Sequence, residues 1–512
     1  MKYFTTLILI LISTLSFAFT ITKNGVGTAT VITKPNASAE ELYAQNEFIK
    51  YVEAISGAKL SLKGTEKNKI YIETKDTLKP QEISIYCKGN NLYIAGGKDT
   101  GIIYAVYEFL EKYFGVMFLA QDDEYIPQNP SMEVGNISYK YKSPFFDREV
   151  LFLGVVLNKE FAIKMRNNGA FNFVPKELGN HYEILDFCHS MFKVFPAEKY
   201  GKDHPEWFAE REGKRVTKPG IFGTQPCFTN QEAIKQMTKD YLKHIEENPK
   251  YKVIDISQND TQEFCQCKDC QASYEKYGCS GTLLNCVNPI ADAVKEKYPD
   301  KIIETIAYHN TRSAPKGGVV PRDNVIIRLC SIECDFSKPF THKANADFMK
   351  DLKDWGKITN QLYVWDYVVN FSNYTILHPN FRVFQSNLQT MANNSVVAVY
   401  EHGDNHNSDT CFYDYKQYIL SKLMWNPNID FYKETERFMK AYYGDAGEDY
   451  YNLIKYLDAV MANKNVALPT NIYDNNYFTA DNWKKLLNAS TPPQKKQKIP
   501  NMKIRLNLPI YA

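Results

Sequence analysis

From residue 144 onward, short runs rich in β-branched residues alternate with stretches of helical periodicity. No other feature constrains the fold as much, because such alternation predicts parallel strands joined by crossover helices. Candidate strands lie at 145–155, 169–174, 184–194, 253–260, 302–309, 324–333, 360–366 and 395–401. Helical stretches fall between them at 230–246, 283–297, 344–355, 380–392 and 411–424. In the second of these, Leu283, Leu284, Val287, Ile290, Ala291 and Val294 share one side. This pattern predicts an α/β fold, a (β/α)8 TIM-like barrel over residues 141–445. A doubly wound open sheet is the alternative, but no glycine-rich phosphate loop follows the first strand. An insertion at 195–226, holding Trp207, Phe208 and Gly213, is expected on the third loop. Residues 446–512 are read as a helical and irregular appendage, Pro-, Asn- and Lys-rich from Ala480 on.

Residues 19–140 predict a small α+β accessory domain. Strands are expected at 28–33, 69–73, 83–87 and 91–95, with helices at 39–55 and from Thr100 to Leu110. Ahead of it, Lys2, the apolar run Leu7–Ile12 and the small residues Ser16 and Ala18 form a signal-peptide pattern, with cleavage near Ala18. The mature protein is therefore expected to be secreted or periplasmic. No later stretch is long enough to span a membrane as a helix.

Export would make disulfides available to the eleven cysteines. Disulfide bracing is the first expectation for Cys265, Cys267 and Cys270, with Cys279 close behind. A structural zinc site on these four is the alternative, although zinc loops usually offer two separated Cys-x-x-Cys knuckles. No cofactor is expected.

In a barrel, chemistry gathers where strands end. Reading off those ends gives Arg148, His189, Asn259 and Asp260, Tyr308 and His309, Glu333, Trp365 and Asp366, then Glu401 and His402. The carboxyl groups of Asp260, Glu333, Asp366 and Glu401 are expected to converge. Glycoside hydrolysis needs such a set, one carboxylic acid for the leaving oxygen and one carboxylate for water or the anomeric carbon. Asp260 is read as the acid, and Glu401 or Asp366 as base or nucleophile. Arg148, His189, Asn259, Tyr308, His309, Glu333, Trp365 and His402 are read as substrate-binding. Trp365 and Asp366 alternate through the barrel wall, so only one need face the site. His402, Asp404 and His406 could hold a metal or be ordinary loop residues.

Several segments carry a resemblance. Ser56 to Ala58, Thr100 to Leu110, Gly115 to Phe118 and Ile126–Pro127 resemble the domain that precedes bacterial α-glucuronidase and β-hexosaminidase barrels. His204 to Phe208, Gln225 to Asn230, Asn259–Asp260 with Cys-x-Cys-x-x-Cys, and Tyr298 to Asp300 resemble the bacterial family catalogued as domain of unknown function 4838. The resemblance covers roughly residues 25–445 and implies a glycosidase-like barrel by analogy of fold.

A net charge of +2 gives no support to nucleic-acid binding, and no Gly-x-Ser-x-Gly elbow supports a serine hydrolase. The expected function is glycoside hydrolysis on a carbohydrate partner, with uronic acid or N-acetylhexosamine glycans as candidates. A non-catalytic carbohydrate-binding barrel or a cell-surface glycan-interaction protein is the alternative.

Overall fold

The computed structural model describes residues 18–472 and 484, apart from 172–174, 176, 177, 179–182, 409 and 464–466. The chain divides into two compact units. One runs to Met117 and takes in Ile126–Lys142; the other holds Phe118–Tyr125 and the main run from Ser143.

The first unit is a five-stranded sheet with two helices. Its strands are β1 (Ala29–Ile32), β2 (Asn68–Thr74), β3 (Ile83–Lys88), β4 (Asn91–Gly96) and β5 (Ser138–Tyr141), ordered β5-β3-β4-β2-β1. Helix α1 (Ala39–Ser56) buries Phe48, Tyr51, Val52 and Ile55, and α2 (Gly101–Phe114) is apolar on most sides. Ser38 starts α1 with a capping box: its hydroxyl accepts from the Glu41 N–H while Glu41 accepts from the Ser38 N–H. Gly57 ends it at φ 74, a left-handed conformation that suits glycine. Replacing Ser38 with alanine is expected to cost about 1 kcal/mol, visible as an earlier urea transition of this unit by tyrosine fluorescence.

The second unit is built on one sheet of seven parallel strands. In chain order these are β6 (Asp147–Leu151), β7 (Ile184–Leu185), β8 (Val253–Asp255), β9 (Ile302–Ala307), β10 (Val325–Cys330), β11 (Leu362–Tyr367) and β12 (Val396–His402). Across the sheet the order is β6-β12-β11-β10-β9-β8-β7, so the first two strands are its edges. The sheet is curled into a half barrel. Its curl brings Phe187, just past one edge, to 4.1 Å from the Arg328 guanidinium, which also stacks on Tyr363 at 4.2 Å.

Helices follow the strands: α3 (Gln231–Glu247), α4 (Lys268–Lys297), α5 (Ala346–Gly356), α6 (Phe381–Ala392) and α7 (Tyr413–Trp425), then α8 (Phe431–Tyr443) and α9 (Gly447–Asn463). The helix expected at 283–297 begins earlier, at Lys268, and breaks at Gly278, where φ is 75.

The strand expected at 145–155 gives way to a helical turn at Leu153–Leu157, that expected at 253–260 stops at Asp255, and two others differ further. Of 169–174, the described residues 169–171 are a turn and 172–174 lie outside the described residues. The strand expected at 184–194 stops at Leu185, because Asp186, Cys188 and His189 take positive φ (56, 48 and 54) and Met191–Val194 is a helical turn.

Among the described residues, edge strand β6 has no hydrogen-bonded strand on its outer side. Instead Asn168 Oδ1 accepts from the Arg148 N–H at 3.1 Å, and Asn167 Oδ1 accepts from the Val150 N–H at 3.2 Å. The Asn168 N–H donates back to the Arg148 carbonyl at 3.0 Å. The segment 167–171 thus lies beside β6, at the place where the second barrel strand was expected.

Candidate active site

Strand β8 ends in a buried aspartate that turns the chain. Asp255 Oδ1 accepts from the Ser257 hydroxyl at 2.6 Å and from the Ser190 N–H at 3.1 Å. The Ser190 hydroxyl donates to the Asp255 carbonyl at 2.7 Å, and the His189 N–H donates to Ser257 Oγ at 2.6 Å. These bonds lay residues 189–191 against 255–258. They also fix the His189 ring: its Nδ1 meets the Gln258 carbonyl at 2.7 Å and must donate there, which directs Nε2 to Asp260 Oδ1 at 3.9 Å.

Asp260 stands at the mouth of the half barrel with 31% of its side chain exposed. The Tyr308 hydroxyl hydrogen-bonds to it, and burial together with the Asp260 charge holds that phenol well above its ordinary range. Gln258 aligns the two: its Nε2 donates to the Tyr308 carbonyl at 3.1 Å and its Oε1 accepts from Thr311 at 2.9 Å. Asn259, read as a sugar ligand, is instead buried in the turn. Its Nδ2 donates to the Thr224 carbonyl at 2.6 Å, and its backbone pairs both ways with the Gln225 amide at 3.0 and 2.8 Å. The Asp260 N–H then donates to the Ile221 carbonyl at 2.9 Å. Insertion 195–226 therefore braces the strand that delivers Asp260.

Glu333 opens at the same end, past β10, with 34% of its side chain exposed. Its two oxygens meet His309 Nδ1 at 2.8 Å and Arg312 Nη1 at 3.0 Å. Burial pushes its carboxyl up, but the His309 and Arg312 contacts outweigh that and hold it below the ordinary carboxylate range.

The expected convergence of four carboxyls divides into two places. Neighbours in register on parallel strands point the same way, and Trp365 pairs with Tyr400 while Asp366 pairs with Glu401. Trp365 and Tyr400 lie on the concave face with Arg328, at 5.6 and 5.8 Å. Asp366 and Glu401 therefore occupy the outer face of the sheet, both buried. Ser331 donates to Asp366 Oδ1 at 2.5 Å, and Glu401 Oε2 has no hydrogen-bond partner among the described residues. Burial raises Asp366 to about 6; burial and the Asp366 charge hold Glu401 well above 4.5.

Both carboxyls keep their protons in the folded state at pH values where the unfolded chain has lost them, so stability falls as pH rises from about 4 through 6. Glu401→Gln is expected to raise the thermal midpoint at pH 8 by about 2–4 °C relative to wild type. The difference should close below pH of about 4, where both states are protonated, as differential scanning fluorimetry across pH would register.

Arg148, read as a sugar ligand, is also on the outer face. It lies 5.3 Å from the Trp425 ring of α7 and donates to the Arg166 and Phe145 carbonyls at 2.8 and 2.5 Å. His402 shares the concave side with Trp365, whose indole N–H donates to its Nδ1 at 3.1 Å. Burial, then the charge of His406, lowers the His402 pKa to about 3, so the ring is neutral. Half-exposed Phe371, 4.6 Å from His402, and Tyr374 continue this aromatic wall. Asp404 caps its own loop, accepting from the His406 and Asn407 N–H groups at 3.1 Å each and from Thr410 at 2.8 Å.

Below the mouth, the concave face holds a buried charge cluster that the strand-end reading missed. Arg328 pairs with Glu304 at 2.7 Å. Asp147 and Glu149 of β6 face the same way, Glu149 accepting from the Ala170 and Phe171 N–H groups at 3.2 and 2.7 Å. Burial raises Asp147 and Glu304 to about 7, and burial plus Asp147 raises Glu149 to about 8. Polar residues at inward positions of otherwise apolar strands were the available sign.

Expected disulfides are not found: all eleven cysteines are free thiols. Cys265, Cys267 and Cys270 cluster instead with Cys227, all four buried, and half-buried Cys279 is not among them. Among the described residues this is the one group of His, Cys, Asp and Glu side chains arranged to hold a metal ion.

Comparison with known proteins places this geometry. The model of the family described as domain of unknown function (DUF4838) matches residues 118–458. Among solved structures, the chain is similar to a family GH115 4-O-methyl-α-glucuronidase with specificity for decorated arabinogalactans, at 10% identity and TM-score 0.53. That alignment covers 87% of this chain and 62% of the other, so the chain spans less than two thirds of that relative. A GH138 enzyme targeting pectin rhamnogalacturonan II aligns at 11% identity and TM-score 0.47, covering 85% of this chain and 69% of that one. A GH84 protein aligns at 10% identity and TM-score 0.49, covering 89% and 75%. No curated protein matches the chain in sequence.

Proposed function

We propose that this chain, which belongs to the family of domain of unknown function DUF4838, is a glycoside hydrolase acting at the carboxyl ends of its parallel strands. One observation carries the reading: two part-exposed carboxyls, Asp260 and Glu333, flank Tyr308 at that end, and both charges act on its hydroxyl. Glycoside hydrolysis uses two carboxyl groups in distinct roles. Glu333, held ionised by His309 and Arg312, suits the base, nucleophile or cation-stabilising role. Asp260, beside Tyr308 and His189, suits the general acid. Phe371, Tyr374 and the Trp365–His402 wall offer ring faces for a sugar. The buried pair Asp366 and Glu401 serves the wall of the barrel in this reading, not the bond that breaks.

A full (β/α)8 barrel belongs to the same proposal, with residues 167–171 beside β6 in the place of its missing stave. Uronic acid glycans come first as substrates, since the solved GH115 relative is an α-glucuronidase; N-acetylhexosaminides come next. Export after cleavage near Ala18 belongs to the same proposal and is tested by N-terminal sequencing of protein from the culture medium or periplasm.

The test is turnover on a panel of aryl glycosides and plant and bacterial polysaccharides, with reducing sugar as the readout. Release that saturates with substrate supports the hydrolase and names its sugar. Sugar binding by calorimetry without release on any member would replace it with the carbohydrate-binding reading.

A further inference from the structure

We propose that Cys227, Cys265, Cys267 and Cys270 form a structural zinc site with four thiolate ligands. The sulfur of Cys227 lies 3.8 Å from those of Cys265 and Cys267 and 3.6 Å from that of Cys270, and all four lie within 4.8 Å of one another. Four sulfurs arranged tetrahedrally about zinc at about 2.3 Å have edges of about 3.8 Å. Such spacing is too long for a disulfide and fits that polyhedron.

The surroundings suit thiolates. The Glu210 N–H donates to Cys265 Sγ at 3.2 Å, Thr229 Oγ1 lies 3.1 Å from Cys270 Sγ, and Arg215 Nη1 donates to Cys265 Sγ at 3.7 Å. Cys267 is the N-cap of α4 and Cys270 lies in its first turn, where the helix end favours negative charge. On binding, each sulfur loses its proton to solvent and donates a lone pair, so a zinc dication and four thiolates leave a net charge of −2. Arg215 and the helix end offset part of it. Zinc is preferred because the donor set is all sulfur and the site is closed, with no position left for water or substrate.

The two halves of the site come from different segments. Cys227 follows Gln225, whose amide holds Asn259; the other three follow Asp260 within ten residues. A metal here would clamp the insertion to the end of β8. This inference stands on sulfur geometry alone and survives if the hydrolase reading fails.

Elemental analysis of the purified full chain, after reconstitution with zinc alone under reducing conditions, is expected to give one zinc per chain. Cobalt in its place should give the intense visible bands of a tetrahedral tetrathiolate. Cys227→Ser and Cys270→Ser should lose the metal, and Cys279→Ser should keep it. If the serine variants do not fold, titration of wild type with an organomercurial decides, since zinc should leave in step with four thiols. Failure to take up zinc, iron in its place, or a nonreducing peptide map that joins two of the four cysteines would overturn the proposal.

Discussion

Asp260→Asn is expected to lower turnover by about 10²–10⁴-fold on the glycoside that wild type cleaves, with little change in the circular dichroism spectrum. The side chain makes few structural contacts. It is part-exposed at the mouth, while its backbone is anchored through Ile221 and its neighbours carry the turn. Asparagine keeps the shape and removes the proton donor. The leaving group then separates roles. A general acid matters most for poor leaving groups, so the loss should be largest on polysaccharide and smallest on an activated aryl glycoside. An equal loss across leaving groups would remove Asp260 from the acid role. Full activity in the variant would remove it from the chemistry. Glu401→Gln, by contrast, is expected to leave kcat/KM nearly unchanged.

Arg328→Ala is expected to destabilise the second unit by about 3–5 kcal/mol. Arg328 is fully buried, paired to Glu304 and stacked between the Phe187 and Tyr363 rings. Its charge also lowers what burial would otherwise do to Asp147, Glu149, Asp255 and Glu304. Without it, those acids stay protonated in the fold to higher pH. The linkage therefore makes the loss larger at pH 8 than at pH 5, since the unfolded chain ionises throughout that window. Arg328→Lys should rescue little, because a lysine cannot lie flat between two rings and fork to a carboxylate. Urea denaturation at the two pH values measures both. A destabilisation under 1 kcal/mol at pH 8 would show that the cluster is solvated.

What was readable in the sequence follows period and punctuation. Strands β9 to β12 fall within two residues of their expected starts, because long apolar runs bounded by polar residues have little other way to fold. The 184–194 stretch alternates like a strand. It stops early because Asp186, Cys188 and His189 adopt left-handed conformations, which ordinary residues enter without a compositional mark. For the site, alternation already said that only one of Trp365 and Asp366 need face inward. Which one depended on the curl of the sheet, and so did the side taken by Glu401 and Arg148. Cys227 lay in the Gln225–Asn230 segment, yet nothing local ties it to cysteines 38 to 43 residues away. Such contacts belong to tertiary structure.

The asparagine side chains along β6 have one more consequence. A bare strand edge offers its main-chain groups to any other chain, and sheets left so recruit one another into aggregates. Here Asn167 and Asn168 take up the Arg148 and Val150 N–H groups from within the same chain. Both side chains are buried, so exchanging that pair for residues without amide acceptors should lower the melting temperature and, in a concentrated solution, raise turbidity as well.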